Sequence, residues 1–133
     1  MLIYRIEHRS RLSADPDVPV GVLDGPYSIA PGAHNFVVQL EDGRAGTDKH
    51  PGPHSDGIQY DETYIFGFGS PASLRRWFSL ADRVVLTDEG YVGCVYTVPK
   101  SAVRIGKRQT AFKFDCAKKI NTYPLTRVLR TPK

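Results

Sequence analysis

The chain has little of several residue types on which protein classes depend. Its 133 residues include two cysteines, one methionine and one tryptophan, and no apolar run approaches the roughly 20 residues of a membrane-spanning helix. The first residues lack the basic start and apolar stretch of a signal peptide. The two cysteines, Cys94 and Cys116, are far apart in the sequence, so buried thiols are favoured over a disulfide. These features predict one cytoplasmic domain over residues 1–133.

Several catalytic templates are also missing. The sequence has no Gly-x-Ser-x-Gly elbow, no phosphate loop that ends in Gly-Lys-Ser or Gly-Lys-Thr, and no Cys-x-x-Cys pair. Their absence argues against a serine hydrolase of the elbow type, a phosphate-loop nucleotidase and a dithiol oxidoreductase. The Gly-Phe-Gly-Ser run at 67–70 is too short to be a dinucleotide fingerprint.

Charge is distributed unevenly along the sequence. Residues 100–133 contain ten lysines and arginines against one aspartate, a net charge of +9, whereas residues 1–99 carry a net charge of −5. Such asymmetry indicates a phosphate-bearing or acidic partner, with a solvated basic tail as the alternative. We predict that the partner, an acidic protein or a nucleic acid, is contacted by Lys107, Arg108, Lys118 and Lys119.

The apolar pattern predicts an α+β fold. Alternation over residues 2–7 indicates a first strand that carries Arg5 and Glu7 on one face. Ser70 and the proline after it form an N-cap and first-turn pair that begins a helix over 72–79, and a further helical turn or two is predicted in 81–89. Late strands are predicted at 91–98 and 109–114. This order is typical of a mainly antiparallel sheet with one or two short helices.

The longest loop is predicted over residues 41–60, and a loop of this length in a compact domain is usually functional or mobile. It contains His50, His54 and Asp56. Imidazole and carboxylate groups bind divalent ions and act as general bases, but the Pro-Gly-Pro spacer between the histidines matches no established metal-site spacing. We therefore predict no metal and interpret the three residues as a substrate-contacting loop, with a plain connector as the alternative.

Taken in order, these elements resemble the ADP-ribosyltransferases of the Arg-Ser-Glu class. In that family an arginine on the first strand, often after a tyrosine, supports the NAD phosphates, and the pair Tyr4 and Arg5 is similar. A serine between a strand and a helix braces the site, and Ser70 resembles it. The resemblance implies an ADP-ribosyltransferase-like fold that binds NAD, with Tyr4 or Tyr27 beside the nicotinamide.

The position of the family's catalytic glutamate has a different residue. By the resemblance it falls at Gln109, and residues 100–113 contain no acid. A glutamine keeps a hydrogen bond to the nicotinamide ribose but lacks the charge that stabilises an oxocarbenium-like transition state. Three alternatives follow. The chain binds NAD or a nucleotide without transferring ADP-ribose, it recruits another carboxylate, such as Glu7, Asp61 or Glu62, or it keeps the fold without the ligand.

Two functions from different classes are predicted. The first is an NAD-binding ADP-ribosyltransferase-like protein that modifies a protein or nucleic-acid target or hydrolyses NAD. The second is a small non-enzymatic interaction protein, like the phage-type inhibitors of host defence systems, whose basic C-terminal third covers an acidic or nucleic-acid-binding partner. The order of Arg5 and Ser70 favours the first, whereas the small size, the incomplete catalytic set and the charge polarity favour the second.

Overall fold

The computed structural model describes residues 1–13, 18–26 and 57–129. Within these ranges the chain forms antiparallel strands and two short helices, so the predicted α+β class is confirmed. The strands are β1 (Leu2–His8), β2 (Tyr64–Gly67), β3 (Tyr91–Thr97), β4 (Val103–Ile105), β5 (Thr110–Lys113) and β6 (Lys118–Tyr123). The helices are α1 (Pro71–Trp77) and α2 (Leu80–Asp88), and short 3₁₀ turns occupy Lys100–Ala102 and Phe114–Cys116.

The described strands form two three-stranded sheets, in the orders β1-β3-β6 and β2-β5-β4. All pairs within them are antiparallel. Among the described residues, one backbone bridge joins the sheets, because the N–H groups of Tyr4 and Phe68 each donate to the other residue's carbonyl at 2.7 Å. The two predicted late strands correspond to β3 and β5, which lie in different sheets, while β4 and β6 were not predicted.

Two apolar layers lie on opposite faces of the first sheet. Between the sheets, Ile3 and Tyr96 pack with Ile65 and Phe112, and the Tyr96 and Phe112 rings are 5.3 Å apart. On the other face, the helices cover the sheet, and this layer includes Tyr4, Ile6, Leu74, Trp77, Phe78 and Leu86. Burial of these side chains is the main stabilising contribution to the fold.

Both helices begin at serine caps, of which the cap at Ser70 was predicted from the sequence. The Ser70 hydroxyl accepts a hydrogen bond from the Ser73 N–H, and Pro71 occupies the first turn. Ser79 begins α2 through a reciprocal capping box with Asp82. Gly90 follows α2 with a φ of 92°, a left-handed conformation that favours glycine after a helix.

The two cysteines differ in their surroundings. Cys94 is buried as predicted, but Cys116 is exposed, and both are free thiols. The prediction of burial is therefore wrong for Cys116, because it ends the short turn between β5 and β6 instead of facing the core. Neither of the helices in the described ranges has the length and apolar content to cross a membrane.

Candidate functional site

Four residues predicted for the NAD site lie in neighbouring elements. Arg5 is on β1, Ser70 caps α1, and Gln109 immediately precedes β5. Gly67 of β2 lies next to both Arg5 and the Gln109 end of β5. A Cβ built on Gly67 would lie 3.4 Å from the Cβ of Arg5, and Gly67 pairs with the residue that follows Gln109. Tyr4 is different, because it is 3% exposed within the layer under the helices, on the face of β1 opposite Arg5.

The polar groups on the Arg5 face of β1 converge on one carboxylate. Glu7 is fully buried, and its Oε2 accepts hydrogen bonds from Arg5 Nε at 2.9 Å and from the Tyr96 hydroxyl at 2.5 Å. Its Oε1 lies 2.7 Å from Lys119 Nζ and 3.5 Å from Cys94 Sγ. We call these five residues the Glu7 cluster. It joins β1, β3 and β6 across the first sheet.

The pKa values in the Glu7 cluster follow from burial and from its two cations. Burial alone would raise the pKa of the Glu7 carboxyl, but the Arg5 charge and the hydrogen bonds from Lys119 and Tyr96 outweigh it, and that pKa is lowered. Burial and the adjacent carboxylate raise the pKa of the Cys94 thiol to about 12 and also raise that of Tyr96. At neutral pH the cluster therefore holds one carboxylate, two cations and two protonated neutral groups.

This arrangement determines what Arg5 can do. Its Nε is bound by Glu7, and its Nη1 donates to the Phe66 carbonyl of β2 at 2.7 Å. The Arg5 side chain is 12% exposed. A phosphate that bound Arg5 through Nε would first have to displace Glu7.

The Cys94 thiol is not set up for nucleophilic chemistry, because a protonated, buried sulfur is a poor nucleophile.

Ser70 is occupied by local bonds at the start of α1. Its Oγ accepts from the Ser73 N–H at 3.1 Å and lies 3.0 Å from the Ser73 hydroxyl.

We expect Ser70→Ala to lower the free energy of unfolding by about 0.5–2 kcal/mol, because it leaves a helix N–H without its acceptor. Chemical denaturation measures this change. Ser70→Asp restores an acceptor and should recover most of the loss. A variant as stable as the wild type would show that the cap contributes nothing, and a loss of ligand binding without a loss of stability would assign Ser70 a bracing role.

The four predicted partner-binding cations lie on two different sheets. Lys107 and Arg108 are exposed in the turn between β4 and β5, where the Gly106 N–H bonds the Gln109 carbonyl. Lys118 and Lys119 begin β6. Lys119 is bound to Glu7 and lies over the Tyr96 ring, so its charge is already compensated within the protein.

Two further cations belong with the β4–β5 turn, and sequence reasoning did not select them. Arg104 donates through Nε to the Tyr64 hydroxyl at 3.0 Å and lies over the Tyr64 ring. Lys113 Nζ lies 5.9 Å from the centroid of the same ring. Asp61 is near both, and its pKa is lowered chiefly by hydrogen bonds from Thr63 and to a lesser degree by the two cations. The alternation in β4 and β5 carried this signal, because it places Arg104 and Lys113 on one face.

Residues 104–113, which include β5 and most of β4, are called the basic hairpin below. Its cations are Arg104, Lys107, Arg108 and Lys113.

Other predicted site residues cannot be placed. Tyr27, His50, His54 and Asp56 lie outside the described residues, so the interpretations of Tyr27 as a nicotinamide contact and of the loop as a substrate contact remain predictions.

The family model described as Bacteriophage T4 Y00F protein matches residues 1–126 of the chain. The match spans β1 to β6 and therefore includes every element described above. No curated protein and no solved structure matches the chain. Because the family description names no activity, the function has to be inferred from the geometry.

Proposed function

The chain belongs to the bacteriophage T4 Y00F protein family, and we propose that it is a small non-enzymatic phage protein that binds an acidic partner through the basic hairpin. The role that we propose for this binding is inhibition of a host defence protein. One observation carries the proposal: the hairpin concentrates four cations on one short two-stranded projection. Within residues 100–129 the single acid is Asp115, which lies outside the hairpin.

The hairpin also presents an apolar side chain among its charges. Ile105 at the end of β4 is 69% exposed, and β4 is an edge strand of the second sheet. Protein interfaces combine a central apolar anchor with a charged rim that guides association. Ile105 alternates with Arg104 along β4 and lies on the opposite face, so its charged neighbours are the exposed turn residues Lys107 and Arg108. The hairpin therefore supplies both components.

These features favour an acidic protein over a nucleic acid as the partner. Single-stranded nucleic acids are held mainly by stacking of bases on accessible aromatic rings. Tyr64, the ring between Arg104 and Lys113, is 6% exposed. Tyr60 is more exposed but stands edge-on to Phe66 at 5.0 Å. The accessible part of the hairpin is therefore cationic and aliphatic.

A second candidate is the NAD-binding ADP-ribosyltransferase-like protein. It is supported by the acid Glu7, whose Oε2 lies 2.9 Å from Arg5 Nε and which could supply the charge that Gln109 lacks. Against it, the same contact occupies the guanidinium that would hold the NAD phosphates. We therefore rank it second.

The test of the first candidate is charge reversal in the hairpin. We expect Lys107→Glu/Arg108→Glu to weaken binding of the phage protein to its host partner on the order of tenfold at low salt, because like charges then face each other. The loss should shrink at high salt, where exposed charges are screened. The partner is first isolated from host extract and identified, and its affinity is then measured with purified proteins.

The matched control is Arg9→Glu/Arg76→Glu, which changes the net charge equally at exposed positions outside the hairpin and should leave the affinity within about twofold. Equal binding by the hairpin variant and the wild type would refute the proposal. Tighter, hairpin-dependent binding to DNA or RNA would replace the protein partner by nucleic acid. Nicotinamide release from NAD by the wild type, abolished in Glu7→Gln, would move the second candidate to first place.

A further inference from the structure

A narrow cleft lies between α1, α2 and the segment that follows β6. Its interior is too narrow to hold a water molecule, so the open space of the cleft lies at its mouth. Three arginines line it, Arg75 of α1, Arg83 of α2 and Arg127, together with Tyr123 and apolar side chains. We call it the arginine cleft. No acidic side chain is among the described residues that line it.

Arg83 is the most informative of the three. It is 6% exposed, and its guanidinium donates through Nε to the Phe78 carbonyl at 3.2 Å and through Nη1 to the Leu125 carbonyl at 3.1 Å. Both partners are neutral backbone groups. Among the described ion pairs, none involves Arg83. Buried charges are normally paired with an opposite charge, so this guanidinium lacks the usual compensation.

The other two arginines increase the positive charge instead of balancing it. Arg75 donates through Nη1 to the Leu129 carbonyl at 2.9 Å, and Arg127 is exposed at the mouth of the cleft. Burial, and then the charge of Arg75, lower the pKa of Arg83, while Tyr123 and Asp82 act in the opposite direction. Asp82, the acid nearest in sequence, accepts from the backbone of Ser79 in the α2 cap. Three like charges therefore share one cleft, with little compensation from the residues that the structure describes.

We propose that the arginine cleft binds a phosphate group. Guanidinium groups present N–H pairs that match phosphate oxygens in a bidentate geometry, and the described bonds of Arg83 do not involve Nη2. Tyr123 adds a hydroxyl donor at the same cleft. Because the interior does not admit a water molecule, the phosphate lies at the mouth, where it contacts Arg127 and the half-buried Arg75. The buried Arg83 adds its positive charge to the attraction.

The charge of the cleft supports a phosphate ligand. A dianion balances more of the three positive charges than a single carboxylate does. The proposal does not depend on the basic hairpin, which belongs to the other sheet.

The test measures phosphate binding by calorimetry, with chloride at the same ionic strength as the reference. Three probes distinguish the source of the phosphate: inorganic phosphate, a mononucleotide, and an oligonucleotide with a 5′-phosphate compared with the same oligonucleotide ending in a 5′-hydroxyl. We expect at least one probe to bind the wild type. Arg127→Met should weaken that binding about tenfold or more by removing a charge-assisted contact.

Arg127 is exposed, so Arg127→Met is expected to fold normally. Arg83→Met then tests the buried arginine, provided that the circular dichroism spectrum of this variant matches that of the wild type. Arg76→Met is the matched control, because Arg76 is exposed on the same helix as Arg75 but does not line the cleft, and its affinity should be unchanged. Lys107→Glu/Arg108→Glu should also bind the probe normally. The proposal is overturned if no probe binds better than chloride or if Arg127→Met binds as the wild type does.

Discussion

Glu7→Ala is expected to lower the free energy of unfolding by about 3–5 kcal/mol. Glu7 is fully buried and compensates two cations, Arg5 and Lys119. Removal of one member of a buried ion pair leaves the other charge in a medium of low polarity, which costs much more than the net value of the pair. Lys119 is about one-third exposed and can turn to water, but the Arg5 side chain is nearly buried and cannot.

The measurement is urea denaturation of the wild type, Glu7→Ala and three comparison variants. Glu7→Gln keeps the volume and an acceptor for the Tyr96 hydroxyl, so its loss reports the missing charge. Glu62→Ala removes an exposed acid and should change stability by less than about 0.5 kcal/mol. Arg5→Leu/Glu7→Leu removes the buried pair together and should be less destabilised than Glu7→Ala. A loss below about 1 kcal/mol for Glu7→Ala would contradict this view of the cluster.

The pH dependence of this effect has a definite sign. The pKa of Glu7 is lowered in the folded protein from its ordinary value of 4.5. A carboxyl of this kind contributes its full stability above its unfolded pKa, and the contribution disappears as the pH falls through the folded pKa. The stability difference between the wild type and Glu7→Ala should therefore be constant from pH 7 to about pH 5 and should shrink on further acidification.

Gly93→Ala is the second large effect that we expect, with a loss of about 3 kcal/mol in the free energy of unfolding. Gly93 lies in the central strand β3, where it pairs with Ile6 of β1 and Tyr123 of β6. A Cβ at this position would lie 2.5 Å from Cε1 and Cε2 of Tyr123 and would overlap Cζ. The ring is 6% exposed and cannot move aside without disturbing the core.

Two comparisons make this prediction specific. Gly69→Ala is the matched control, because a Cβ there meets its nearest neighbours at 3.7 and 3.9 Å, which is ordinary contact. In a Tyr123→Leu background, Gly93→Ala should cost clearly less, since the ring that it overlaps is gone. Equal losses in both backgrounds would contradict the explanation. Because Tyr123 also lines the arginine cleft, Gly93→Ala should weaken phosphate binding too.

The sequence alone determined the features that depend on neighbouring residues. The serine cap of α1 at Ser70 and the strand character of β1 and β3 follow from local spacing and backbone preference. Alternation in β1 also placed Arg5 and Glu7 on one face, as the structure confirms. The difference in net charge between residues 1–99 and residues 100–133 also follows from the sequence alone, because it is counted from the residues.

Only the tertiary structure decided what those residues contact. Glu7 meets Lys119 because β6 pairs with β3, and the mostly exposed, lysine-rich sequence of β6 lacks the apolar alternation that identifies a strand. Arg83 is buried because the segment after β6 returns over α2, although arginines are exposed in most proteins. Tyr123 covers Gly93 because β6 pairs with β3. Contacts between residues far apart in sequence depend on how strands and helices are arranged, and local propensity does not contain that information.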